Sequence, residues 1–331
     1  QKLHSRDNEL IIFQEDKVSK SLVKRNVIYN VDGSGNVATA DSVLSQGIPY
    51  LGKYGICKNP ESFATYGNRM YLVDVRRGVV LRLSQDGFTL ISENKMKDYF
   101  TDKFEDINDR INDNLLHIYG MYDAKFGEYV ISMGKIVIVN PNDNRPETIL
   151  ESETIGFSEY GKRWNSFYTY DELENMCEAM TGFVSFKKGG LWHHNRGGGD
   201  NTTIPVHYGE FYGINHKSHL WLISNDHPSN IKVYNTISQE SDDVWTTLIE
   251  TKEGQSTSII ESDFDTRENI HYAQILNDIN SPGGLIEGDR IRGASALLKL
   301  TSNAIASTLG TRISKLFAVT VNNFFSYRSN K

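Results

Sequence analysis

Short alternating segments, each cut off by a turn signal after a few residues, run through this chain and limit what it can fold into. Residues 63–92, FATYGNRMYLVDVRRGVVLRLSQDGFTLIS, contain the strand-like pieces MYLVDV, GVVLRL and FTLIS, separated by Arg77-Gly78 and by Gln85-Asp86-Gly87. Aromatic and β-branched residues suit a pleated strand and glycine tolerates the positive φ of tight turns, so this stretch predicts an antiparallel meander. The plan recurs. Residues 9–31 read as two strands around EDK followed by the turn VDGSGN, and 116–140 as strand, AKFG turn, strand and KIVIVN. In 163–195 the segment RWNSFYTY precedes the hairpin FVSFKKGGLWHHN, and in 219–238 HLWLISN and NIKVYNTIS flank DHPS. Meanders returning at about 45 to 55 residues have the spacing of propeller blades. One small sheet cannot cover both its faces, whereas several packed radially can. The expectation is therefore an all-β fold, a β-propeller of meander blades over residues 1–279, its N-terminal part either whole or cut short.

Two stretches read as helical insertions. Residues 98–114, DYFTDKFEDINDRINDN, carry Phe100, Phe104, Ile107 and Ile111 at steps of four, three and four, which makes one stripe on a helix with an acidic opposite face. Residues 169–180, TYDELENMCEAM, predict a second short helix. After NSPGG the pattern changes. DRIRGASALLKLTS and ISKLFAVTVNNFFSY are longer alternating segments joined by a Ser-, Ala- and Thr-rich connector, so 280–331 is expected to form a separate C-terminal β-hairpin or β-layer, or else to finish the ring.

Charge and cysteine usage narrow the function. The 331 residues carry a net charge of −7, which argues against a surface built to neutralise nucleic-acid phosphates, although local basic patches remain compatible with it. Cys57 and Cys177 are too few for a disulfide framework or a four-cysteine zinc site, and both are expected to be buried thiols. No apolar run approaches the length of a membrane-spanning helix, so membrane insertion is not expected. No charged-then-apolar leader opens the chain.

The most conspicuous motif is LWHHNRGGGDN, 191–201. On the second strand of a hairpin His193 and His194 point to opposite faces and cannot share a metal ion. The triple glycine is followed neither by Lys-Ser/Thr nor by an amphipathic helix, so the phosphate-loop and dinucleotide patterns fail and RGGGDNTT reads as a connection. His216 and His219 have helical spacing but lie in a turn entering a strand, without a third ligand nearby. The SQDG of 84–87 is similar to the Asp-box of sialidase propellers, but its glycine comes one position early and the terminal aromatic is missing, so it reads as a hairpin turn. Trp164, Tyr168 and Trp192 suit core packing better than sugar stacking. No Gly-x-Ser-x-Gly elbow and no HExxH is present, and a glycosidase carboxylate pair can be neither nominated nor excluded among 42 acidic residues. No catalytic, cofactor-binding or metal-binding residue is assigned, and no cofactor is expected.

The segments YGICKNPESFATYGNRMYLVDVRRGVVLRLSQDGFTLIS, GMYDAKFGEYVISM, RWNSFYTY with FVSFKKGGLWHHN, and IKVYNTISQESDDVW, in that order, resemble elements of structural tail proteins of tailed bacteriophages. The likeness is to the large tail-assembly (muzzle) proteins of crAss-like, short-tailed phages. It implies a virion component of the tail, a propeller present in several copies and held by contacts with other tail proteins, with no catalytic residues. It makes Asp74, Arg77, Gly78, Gly120, Asp123, Trp164, Gly190 and Asn195 framework positions at turns and blade ends. An acidic surface would suit a component near passing DNA, since like charge keeps a polyanion off the wall. Two other classes stay open: a propeller binding a host surface glycan or receptor through exposed aromatics, and a propeller glycosidase with carboxylates in its channel.

Overall fold

A computed structural model describes residues 1–29, 35–108, 117–139, 146–179, 182–194, 209–278, 288–302 and 315–326. It is mostly β, in several antiparallel sheets that form no closed barrel among the described residues, and divides into two compact units, residues 1–197 and 198–331. The expected connection RGGGDNTT, Asn195 and the tip of VDGSGN lie outside the described residues.

In the first unit four sheets follow one another along the chain. The first pairs Lys2–Arg6, Glu9–Phe13, Val18–Tyr29 and Gly35–Leu44 in that order, and the strand Lys2–Arg6 adds to the hairpin expected from the sequence. The second is the expected meander of Ala64–Tyr66, Arg69–Asp74, Val79–Ser84 and Gly87–Leu90. The third orders Ile118–Asp123, Glu128–Met133, Glu153–Ser158 and Arg163–Tyr168. A hairpin of Ile136–Val139 and Pro146–Leu150 is inserted between its second and third strands. The fourth holds Asn175–Ala179, Gly182–Lys187 and Gly190–His194.

Each sheet packs on the next, which explains why the central strands are apolar at consecutive positions instead of alternating. From Met70 to Asp74 every residue is buried. Met70 and Leu72 face Ile11, Phe13 and Val18 of the first sheet in one core, with Leu81 and Leu83 beside them. Tyr71, Val73 and Val80, on the other face, join Tyr129, Ile131 and Phe157 of the third sheet in a second core. A strand buried on both sides gains from apolar residues at every step. The α-helix Lys97–Asn108 closes this second core with Phe100, Phe104 and Ile107, as the sequence stripe predicts; positions 109–114 of the expected helix, Ile111 among them, lie outside the described residues. The third and fourth sheets meet at Tyr170, whose carbonyl accepts from Thr154 Oγ1 at 2.6 Å and whose ring contacts Phe183 and His194.

The second expected helix does not form. Asn175–Ala179 is a strand paired residue for residue with Gly182–Lys187, and Glu174 N–H already donates to Phe186 O, so ladder hydrogen bonds override the helix propensity of DELENM. On this strand Met176 is buried, whereas Cys177 points outward and is exposed, contrary to the expectation of two buried thiols; Cys57 is buried.

The described residues of the second unit form two sheets that share one core, and a small hairpin of Glu210–Phe211 and Ile214–Asn215. One sheet runs His219–Ser224, Ala296–Ser302, Trp245–Thr251 and Ser256–Ile259 in spatial order. The other runs Asp265–Arg267, Ile270–Gln274 and Lys232–Ser241, with Leu316–Phe325 on the far side of Lys232–Ser241. Ile249, Leu298 and Leu300 of the first face Ile237 and Ala273 of the second, the arrangement of a β-sandwich. The sequence set a boundary at 279/280, but strands from both sides of it are hydrogen-bonded into these same two sheets. Non-local pairing of this kind leaves no mark in local pattern. Lys232, fully buried, donates its ammonium to the carbonyls of Asp226 (2.6 Å), Asn230 (3.4 Å), His227 (3.5 Å) and Ala294, and so fixes the turn between His219–Ser224 and its own strand.

Candidate functional site

Buried carboxylates are the natural place to look for chemistry, and in the first unit they hold the sheets and turns in place. Asp74 ends its strand with no exposure and accepts from Gly55 N–H (3.0 Å), Cys57 Sγ–H (3.0 Å), Arg77 N–H (3.2 Å) and the Arg77 guanidinium (2.9 Å). Burial first, and then the Asp74 charge, push the Cys57 thiol up to about 12, so it stays a protonated donor and is no nucleophile. Glu159 follows the third strand of the third sheet and reaches back to the second sheet, where Tyr71 O–H donates at 2.7 Å and Arg69 and Arg82 each donate at 3.1 Å. Burial, and then the hydrogen bond to Glu159, raise the Tyr71 phenol. Glu128 accepts from Asn165 Nδ2 (2.8 Å) and Tyr168 O–H (2.5 Å). Both oxygens of each of these carboxylates are occupied by fixed donors, the state of an anchor.

Of the positions expected to be framework, those described lie partly at turns and partly inside strands. Gly78 has φ 66° and caps the 3-10 turn Val75–Arg77, and Asp123 accepts Lys125 N–H at 2.9 Å in the AKFG turn. Gly120 runs against the backbone of Ser62, where a Cβ would lie 2.0 Å from the carbonyl oxygen, and Tyr129 O–H donates to that same oxygen at 2.5 Å. Trp164 donates its indole N–H to Ile91 O at 3.0 Å and packs its ring 4.5 Å from Phe100. Gly190 starts the second strand of the KKGG hairpin.

The histidines separate as the strand geometry requires. His193 is exposed, whereas His194 is buried, with Nε2 2.6 Å from Ser185 Oγ and its ring stacked at 4.6 Å on Phe183. Burial, and secondarily His193, lower its pKa to about 4, so it is neutral at neutral pH. His216 N–H donates to Gly209 O and closes the small hairpin, whereas His219 Nδ1 lies 3.1 Å from Thr301 Oγ1 on the adjacent strand, so the two serve different elements. Among the described residues no three His, Cys, Asp or Glu side chains are gathered in a way that could hold a metal ion. Ser84-Gln85-Asp86-Gly87 is a hairpin turn with Ser84 paired to Gly87. Tyr168 belongs to the Glu128 anchor, and Trp192 is 37% exposed.

What sequence reading missed is a pair of exposed aromatic strands in the second unit. Among the described residues each lies at the edge of its sheet. His219–Ser224 exposes Trp221 (67%) and Ile223 (71%), with Lys299 Nζ 5.6 Å from the Trp221 ring and 2.7 Å from Glu250. Leu316–Phe325 has no buried residue and exposes Phe317, Phe324 and Phe325. An unpaired strand edge carrying large apolar side chains is an association surface unless something blunts it. The unbroken apolar run in LWLI was the available signal.

Residues 1–189 match the family model described as Crassvirus muzzle protein, and residues 206–278 the one described as Crassvirus muzzle protein C-terminal domain. No curated protein matches the chain in sequence.

Proposed function

The chain belongs to the crassvirus muzzle protein family, and from that premise we propose that it is a structural component of the phage tail, assembled in several copies through contacts with other virion proteins. The observation that carries this reading is the coexistence of buried anchoring carboxylates with two aromatic edge strands left open. Anchors of that kind keep a scaffold rigid, and exposed Trp and Phe on fixed strands are the side chains that dominate protein interfaces. We hold the chain to have no catalytic centre. The architecture we propose for the first unit is an arc of propeller blades, supported by four sheets that succeed one another in chain order with each packed on the next.

The test is particle assembly. Trp221→Asp and Phe324→Asp should leave the isolated chain folded, because both side chains are exposed, while reducing its incorporation into virions severalfold by quantitative mass spectrometry. Absence of the wild-type chain from purified virions would defeat the proposal. So would turnover of an oligosaccharide that is lost when one carboxylate becomes its amide.

A further inference from the structure

The second unit contains an open cleft of about 960 Å³ whose lining residues are other than those of the two aromatic edge strands. One wall is a stripe across three hydrogen-bonded strands. Tyr272, 43% exposed, stands opposite Asp265 on one neighbour and Ser238 on the other, and Gln274 follows on the same face opposite Thr236. Arg267 lies on the same strand as Asp265, and Ser258 and Asp263 also line the cleft. Among the described residues, the side chains of Asp265, Arg267, Tyr272 and Gln274 make no hydrogen bond or ion pair within the chain, unlike the anchoring carboxylates of the first unit.

We propose that this cleft binds a neutral oligosaccharide. A sugar ring presents an apolar C–H face and a rim of hydroxyls. The Tyr272 ring supplies a flat partner for the face, the Asp265 carboxylate accepts from adjacent hydroxyls, and Arg267 and Gln274 donate to them. Strands hold these groups in place, so little ordering is required on binding. The volume fits a ligand of a few rings. Charge selects the class: Asp263, Asp265, Glu268 and Asp278 outnumber Arg267, which disfavours phosphate-bearing or acidic polymers. The polar lining disfavours a lipid or an apolar peptide.

The test uses the full chain on an array of immobilised neutral oligosaccharides with gluco, manno, galacto, rhamno and N-acetylglucosamine backbones, with spermine titrated as a cationic control. Saturable binding to at least one neutral glycan is expected, weakened about tenfold by Tyr272→Ala, the size of one lost aromatic contact. Asp265→Asn should weaken it as well, and neither change should alter the melting temperature. No binding across the array, binding that survives Tyr272→Ala, or binding of spermine alone would overturn the proposal. Incorporation of the Tyr272→Ala chain into virions should stay at the wild-type level, so failure here is distinct from failure of the assembly role.

Discussion

His194 gives the first unit a pH dependence of definite sign. Its folded pKa is lowered to about 4 from an ordinary 6.5, so between those values the unfolded chain binds a proton that the folded chain refuses. The contribution is complete above pH 6.5 and is lost as pH falls toward 4, with a limit of about 3 kcal/mol. Comparing melting temperatures at pH 7 and pH 4.5, His194→Phe should lose less on acidification than the wild type; equal losses would show that the ring does not titrate in this way. Glycines divide by what surrounds them. Gly120→Ala puts a methyl 2.0 Å from a backbone oxygen and should lower the urea midpoint by the equivalent of about 3 kcal/mol. Gly189→Ala, in open space with φ 72°, should cost about 1 kcal/mol. Sequence could single out both glycines as turn or joint positions. It could not rank them, because the obstacle at Gly120 is a carbonyl 58 positions away in the chain, at Ser62.

At the scale of elements, legibility followed how local the deciding interaction is. The meander 64–90 and the hairpin 182–194 are closed by neighbouring residues and formed as expected. The helix announced itself by spacing, and its buried stripe makes a prediction: Phe104→Ala should destabilise the first unit by about 4 kcal/mol in chemical denaturation, because it empties a site of zero exposure between two sheets. Glu105→Ala, on the exposed face, should change it by less than about 0.5 kcal/mol. By contrast, 175–179 is rich in helix-compatible residues and becomes a strand because Gly182–Lys187 offers it a ladder. The placement of Ala296–Ser302 between His219–Ser224 and Trp245–Thr251 depends on partners about fifty or more residues distant, which periodicity cannot register. The cleft shares that origin: its residues come from several strands and carry no motif.

Across the whole molecule, the two units each own a core, so residues 198–331 expressed alone should melt cooperatively and show dispersed amide resonances. A molten, ANS-binding fragment would contradict that autonomy. The meander of residues 64–90 sets a different kind of limit. With neighbours on both faces, Met70, Leu72, Leu81 and Leu83 answer to one layer and Tyr71, Val73 and Val80 to another, so almost any new side chain there disturbs two contacts at once. Divergence between related chains should therefore be slow in these strands and fast at the exposed positions of the second unit's outer strands, where one substitution moves no layer. A lineage of such chains would rewrite the periphery and inherit the stack.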